Sequence, residues 1–138
     1  MKLLVSLLVT AVLFISSSLI AQEKMSITAT VINVTSNEGK VGFALYNKAD
    51  FMKTPVQSIN AKIIDGVSTV EFENVEPGDY AVVCYHDKND NDLMDFAPNG
   101  MPLENYGASN NVMNFGPPTF ENAKFVVADK NVSLNIKF

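Results

Sequence analysis

The hydrophobic positions after residue 24 recur mostly at every second residue. Ile27, Ala29 and Val31 alternate with polar neighbours, for example. Alternation with a period of two places one face of an extended chain against a core and is typical of a half-buried β-strand. The pattern predicts seven short strands, over residues 25–34, 40–46, 57–64, 67–72, 80–86, 123–128 and 132–138.

Turn signals separate these strands about every ten residues. Asp65-Gly66 predicts a tight hairpin between the third and fourth strands. Residues 129–131 predict a second hairpin between the last two. Many short strands without a long helical period predict an all-β fold, a single antiparallel β-sandwich of about seven strands of the immunoglobulin-like kind.

One long segment, residues 87–119, interrupts this pattern. Its length is unusual for a connection, and its apolar residues predict an ordered loop packed on the sandwich. These residues are Phe96, Met101, Leu103, Tyr106, Val112, Met113 and Phe115. A second set, Tyr106, Phe115, Pro117, Pro118 and Phe120, either lines a ligand groove or anchors the loop to the sheet. Anchoring is the favoured interpretation, because a packed loop needs such contacts in any case.

The N-terminus has the pattern of a signal peptide. Lys2 precedes an apolar run over residues 3–15, and cleavage is expected after Ala21. A retained membrane anchor is the alternative, but the run is short for a bilayer span. The expected organisation is a signal peptide at 1–21 and one domain at 22–138, located in the periplasm or secreted, with no membrane span in the mature chain.

Charge and cysteine content narrow the function. The net charge is −5 and the chain has no arginine. An acidic protein of this kind is not expected to bind nucleic acid or anionic lipid, which both require basic patches. The single cysteine, Cys84, cannot form an internal disulfide, and its place within a predicted strand indicates a core residue.

The densest group of polar residues follows the strand 80–86. Asp87, Asn89, Asn91 and Asp95 stand at positions one, three, five and nine of a loop, and Leu93 offers a carbonyl at position seven. Oxygen ligands spaced in this way predict a Ca²⁺ site. Because position six is Asp92 and position twelve is Pro98, the loop is not an EF-hand. The alternative is a turn stabilised by Asn and Asp side chains. Further ligands or loop-binding residues are expected among His86, Glu104, Tyr106 and Asn110.

A catalytic interpretation has weaker support. His86 and Cys84 share one face of a strand, which suggests a thiol–imidazole pair, but no third orienting group accompanies them. One His and one Cys also fall short of a zinc site. We therefore expect a protein that is not an enzyme, with a redox-active or catalytic role for His86 and Cys84 as the alternative.

Several segments together resemble a known bacterial family. These are Glu76-Pro77-Gly78-Asp79-Tyr80, His86-Asp87-Lys88-Asn89-Asp90-Asn91, residues 100–110 and residues 115–123, with residues 42–47 and Phe51 in the first half. The chain resembles the exported family called domain of unknown function 2141. Its Pro-Gly-x-Tyr strand is similar to transthyretin-like and carboxypeptidase-regulatory β-sandwiches. Asp92 stands where the family pattern has Gly.

The resemblance implies a small periplasmic or secreted domain with no established activity. Taken with the residues, it predicts a binding or accessory module of the cell envelope with a Ca²⁺-stabilised loop. The partner is expected to be an unidentified protein or small molecule. A small-molecule carrier that uses the aromatic residues of the long loop is a further alternative.

Overall fold

The computed structural model describes residues 23–113 and 115–138. In these residues the chain forms eight strands, a 3-10 turn at Ser109–Asn111 and one short helix, α1. The strands are β1 Met25–Val31, β2 Lys40–Tyr46, β3 Gln57–Ala61, β4 Ser68–Val75, β5 Gly78–Asp87, β6 Tyr106–Ala108, β7 Phe125–Val127 and β8 Val132–Ile136, and α1 is Phe120–Ala123. The predicted signal peptide falls on residues outside this description.

The strands form two sheets that share one core. The first sheet has the order β4–β1–β8, and the second has the order β3–β2–β5–β6, with β7 also paired to β5. Ile27 and Phe72 of the first sheet and Phe43 of the second belong to one buried cluster. The predicted all-β, sandwich-like architecture is therefore confirmed, and the strand at Tyr106–Ala108 is an addition to the predicted set.

Alternation decides which residues reach the core. In β1 the apolar positions Ile27, Ala29 and Val31 are fully buried, whereas the residues between them are partly exposed. In the second sheet Phe43 and Cys84 face the core. Their strand neighbours Ala44 and Tyr85 therefore face outwards, because successive side chains point to opposite sides of a sheet. The outward side of the second sheet is the surface on which the long segment lies.

Two predicted pairings are wrong. β8 pairs with β1 in parallel, with Ile27 opposite Val132, so the fold is not purely antiparallel. The last two strands also do not form a hairpin, because β7 pairs with β5 and β8 with β1. The chain between them crosses from one sheet to the other, and a strand that arrives by a crossover is not restricted to antiparallel pairing.

The predicted Asp65-Gly66 turn is present but does not produce a long hairpin. Both residues have positive φ, 52° and 75°, as the type I′ turn requires. Two backbone hydrogen bonds join Ile64 and Val67, at 2.8 and 3.0 Å. Beyond this bridge β3 pairs with β2 and β4 pairs with β1, so the turn carries the chain from one sheet to the other.

The long segment is less buried than its composition predicted. Six of the seven apolar side chains that were expected to pack on the sandwich are exposed: Phe96, Met101, Leu103, Val112, Met113 and Phe115. The expectation that these residues pack on the sandwich is wrong for this set. Local hydrogen bonds hold the segment together instead, such as those from the Leu103 N–H to the Asp95 carbonyl and from the Ala97 N–H to the Met101 carbonyl. Within the described residues, no helix combines the length and apolar character needed to cross a membrane.

Candidate functional site

Asp87 organises the start of the acidic loop, which we define as residues 87–95. It is the last residue of β5 and is fully buried. Its Oδ1 accepts the Asn91 N–H at 3.0 Å and its Oδ2 accepts the Asp92 N–H at 2.8 Å. A carboxylate that accepts backbone N–H groups a few residues later closes a compact turn. The sequence therefore folds locally around one acidic side chain.

Two residues of this loop adopt left-handed backbone conformations. Asp90 has φ 59° and Asp92 has φ 62°. Asp tolerates this region better than most residues, although Gly does so at lower cost. Asp92 therefore adopts a positive φ at the position where the resembled family has Gly, the residue that favours this conformation most.

Lys40 is the cation of the acidic loop. It stands at the start of β2, paired in register with Asp87. Its Nζ lies 3.5 Å from Asp87 Oδ2 and 2.5 Å from both Asp90 Oδ1 and Asp92 Oδ1. Hydrogen bonds to Asp90 and Asp92 raise the pKa of Lys40 above its ordinary value. Asp90 and Asp92 are solvent-exposed, and both are ion-paired with Lys40.

The remaining predicted ligands contact one another. The Asp95 carboxylate accepts the side-chain amides of Asn89 at 2.7 Å and Asn91 at 3.0 and 3.1 Å. Asn91 Oδ1 accepts the Leu93 N–H at 2.9 Å. All five predicted ligands therefore lie in one hydrogen-bonded cluster, because Asp87, the fifth, is connected to the other four through the Asn91 N–H.

Glu104 joins this cluster from the second half of the long segment, as the sequence suggested. Its Oε1 accepts the Lys88 N–H at 3.0 Å, and its Oε2 accepts the Asp95 N–H at 3.1 Å. The carboxylate thus fixes both ends of the loop. In the described part of the chain, however, no three or more His, Cys, Asp or Glu side chains are arranged to hold a metal ion. Calcium binding stays a prediction.

His86 and Cys84 face the interior. His86 is buried, its Nε2 lies 2.8 Å from the Glu38 carbonyl, and its backbone N–H donates to the Asn105 carbonyl. These bonds attach the end of β5, just before the acidic loop, to neighbouring segments. Burial raises the pKa of the Cys84 thiol well above its ordinary value, which disfavours the thiolate that a reactive cysteine requires.

Asn110 and Tyr106 lie apart from the acidic cluster. The Asn110 amide donates to the carbonyls of Asn122 and Lys124, so it fixes the segment beside α1. The Tyr106 hydroxyl donates to the Gly116 carbonyl at 3.3 Å. Tyr106 therefore holds the Gly-Pro-Pro part of the long segment, at the edge of a groove.

The outer groove is a concave surface about 870 Å³ in volume. Its floor is the outward side of the second sheet, with Ala44, Ser58, Asn60, Val83 and Tyr85. Its walls come from Met52 and from the long segment, through Met94, Phe96, Met101, Pro102, Phe115, Pro117 and Pro118. Three of the exposed apolar side chains of the long segment, Phe96, Met101 and Phe115, therefore gather around one sheet face.

Small residues open the floor of this groove. Ala44 has only a small side chain. At Gly42 a β-carbon would lie 2.8 Å from the Tyr85 ring, so the absence of a side chain there leaves room for that ring. Of the aromatic and proline set predicted from the sequence, all but Phe120 line the groove, and Phe120 is buried with Ala81 and Ala123 instead. Tyr85, Met94 and the sheet floor were not predicted. The alternation in β2 and β5 gives the outward residues of each strand, but not which segment covers them.

Comparisons with known proteins identify a family without a described activity. The family model for an uncharacterized protein conserved in bacteria, DUF2141, matches residues 29–135. No curated protein matches the chain. No solved structure matches it either. The match extends from β1 to β8 and includes both the acidic loop and the outer groove, so the chain belongs to the DUF2141 family.

Proposed function

We propose that this protein is an exported binding module of the cell envelope that holds a small apolar ligand in the outer groove. The observation that carries the proposal is the groove of about 870 Å³ on the second sheet, lined mainly by aromatic, thioether and proline side chains. Ligand sites are typically concave, mostly apolar and of this size, with a few polar groups for orientation. Ser58 and Asn60 provide such groups on the floor.

The exposure of the groove walls supports binding over simple anchoring. Phe96 is 57% exposed and Met101 is 63% exposed, so neither is used to hold the segment down. The pairing of β6 with β5 and the hydrogen bond from the His86 N–H to the Asn105 carbonyl already perform that role. An exposed apolar surface has a free-energy cost in water, and one gathered around a cleft is typical of an interaction site.

The proposal also includes where the protein is located and which kind of β-sandwich it forms. Export to the periplasm or outside the cell rests on the signal-peptide pattern at residues 1–21. The resemblance to transthyretin-like sandwiches, which mostly serve as accessory modules, is consistent with binding without catalysis. This is an analogy of fold and carries no activity by itself.

A pair of matched substitutions tests the ligand site. Ala44→Phe places a large ring on the groove floor, whereas Thr69→Phe places the same ring on the outward face of β4. We expect a neutral apolar dye such as Nile red to bind the wild type and Thr69→Phe alike, and Ala44→Phe at least about tenfold more weakly, because the ring fills the cleft. Fluorescence titration measures the affinities. Equal binding to all three proteins would contradict the proposal.

We also propose that the acidic loop binds Ca²⁺ and is stabilised by it. The support is that side chains of Asp87, Asn91, Asp95 and Glu104 belong to one hydrogen-bonded loop. Oxygen-rich loops of this composition suit a hard cation. The Lys40 ammonium contacts the Asp87 carboxylate and would oppose a bound cation there.

Thermal unfolding after chelator treatment tests calcium binding. Calcium at about 100 times its Kd should raise the free energy of unfolding by about 2.7 kcal/mol. We expect Lys40→Met to respond at lower calcium concentration than the wild type, and Asp95→Asn to lose the response, whereas the exposed substitution Asp129→Asn should keep it. An unchanged Tm in both the wild type and Lys40→Met at millimolar calcium would refute the proposal.

A further inference from the structure

The outer groove is negatively charged at one end. Asp92 lines the groove and its carboxylate is 69% exposed. The Lys40 ammonium contacts Asp92, but it also contacts Asp87 and Asp90. One positive charge shared by three carboxylates leaves this group with a net charge of −2. Asp92 is therefore only partly neutralised by Lys40.

The lining supplies no positive charge of its own. None of the described residues that line the groove is a lysine or a histidine, and the chain has no arginine. An anionic ligand would find no cationic partner among these lining residues. Besides Phe43, whose side chain is buried in the core, the lining contains five aromatic residues, whose π faces attract cations. They are Tyr46, Tyr85, Tyr106, Phe96 and Phe115.

We propose that the outer groove binds an amphiphilic organic cation, with its ammonium group beside Asp92 and the aromatic rings and its apolar body along the floor formed by Ala44 and Val83. The inference rests on the proposed ligand site and adds the charge of the ligand to it. Charge complementarity selects the cation, because the groove joins an apolar surface to one incompletely neutralised carboxylate.

Three probes with the same tail test the charge preference. Decyltrimethylammonium is cationic, decyldimethylamine N-oxide is neutral overall at pH 8, and decyl sulfate is anionic. Calorimetric titration of the whole mature chain, with each probe below its micelle concentration and after chelator treatment, should give the cation about tenfold higher affinity than the N-oxide. The sulfate should bind most weakly. Cation–π contacts and one partly screened ion pair are sufficient for a preference of this size.

Asp90 provides a matched control for Asp92. Both carboxylates lie 2.5 Å from Lys40 Nζ, both are exposed and both residues have positive φ, but only Asp92 lines the groove. Asn also tolerates positive φ, so both Asn substitutions keep the backbone preference. We expect Asp92→Asn to reduce affinity for the cation about threefold and to leave the N-oxide unchanged. Asp90→Asn should preserve the preference.

The outcomes separate this inference from the proposed function. Equal affinity for the three probes, or a preference for the sulfate, would overturn the cation inference and leave the apolar site intact. Binding of none of them, together with no Nile red binding, would overturn both. An equal effect of Asp90→Asn and Asp92→Asn on cation affinity would contradict the placement of the ammonium group beside Asp92. In the wild type, added salt should weaken binding of the cation alone, and a cation affinity independent of salt would also overturn the inference.

Discussion

Lys40 is the residue whose role depends most on its surroundings. Three carboxylates, one of them fully buried, surround its ammonium group. A buried carboxylate that loses its partner is costly, because its charge is no longer compensated. Lys40 therefore joins the start of β2 to the acidic loop and to one wall of the outer groove.

Replacing Lys40 tests this role. Lys40→Met should lower Tm at pH 7, whereas Lys130→Met, an exposed change without an ion pair in the described structure, should have little effect. The pKa of Lys40 is raised in the folded state. The contribution of Lys40 to the stability of the fold is therefore fully present below its ordinary pKa of about 10.4, and it is lost as pH rises through the higher folded value. The Tm difference between wild type and Lys40→Met should thus be retained from pH 7 to pH 9 and shrink above about pH 10.4. Equal Tm values at pH 7 would argue against the role.

At the scale of elements, Ser109 extends the pairing of two strands. β6 ends at Ala108, opposite Val83 of β5, and the next residue continues through its side chain. The buried Ser109 hydroxyl accepts the Val82 N–H at 3.1 Å and donates to the carbonyl of Ala123. One hydroxyl therefore connects β5, the end of β6 and the end of α1.

Removing this hydroxyl should be costly. Ser109→Ala leaves the buried Val82 N–H without that partner, and we expect a loss of about 1–3 kcal/mol in the free energy of unfolding. Ser133→Ala on the exposed side of β8 should change it by less than about 0.5 kcal/mol. Urea denaturation of the two variants measures the difference. A similar, small effect of both changes would show that the bridge contributes little.

At the scale of the whole molecule, one core joins the two sheets. Phe72 from β4 and Phe43 from β2 belong to the same buried cluster, and neither sheet has another core of comparable size in the described chain. Each sheet buries its apolar face only against the other. The two sheets are therefore expected to unfold together.

A single large-to-small substitution tests this cooperativity. Phe72→Ala should lower the free energy of unfolding by about 3–5 kcal/mol, because it leaves a cavity in a packed core. Far-ultraviolet circular dichroism follows both sheets, whereas the near-ultraviolet signal follows the second sheet, because the tyrosines lie on that sheet and its edges. The two unfolding curves should coincide for both the wild type and the variant. Separate transitions would show that the sheets are independent.

Much of the fold was predictable because its signals are local. Alternation placed Ile27, Ala29 and Val31 in the core, and the surroundings of Cys84 indicated a buried thiol. The Asp65-Gly66 pair predicted its turn because both residues accept positive φ. The contacts around Asp87 were predictable as an Asn- and Asp-rich turn, since these side chains bond the backbone within a few residues.

Contacts between distant segments were decided by tertiary structure. The register of β2 against β5 places Lys40 beside Asp87, 47 positions along the chain from it. The crossover after β7 places β8 parallel to β1, because the strand returns to the other sheet. The outer groove exists only because the long segment lies over the outward faces of β2 and β5. Periodicity gives each strand its two faces, but the pairing of strands determines what those faces meet.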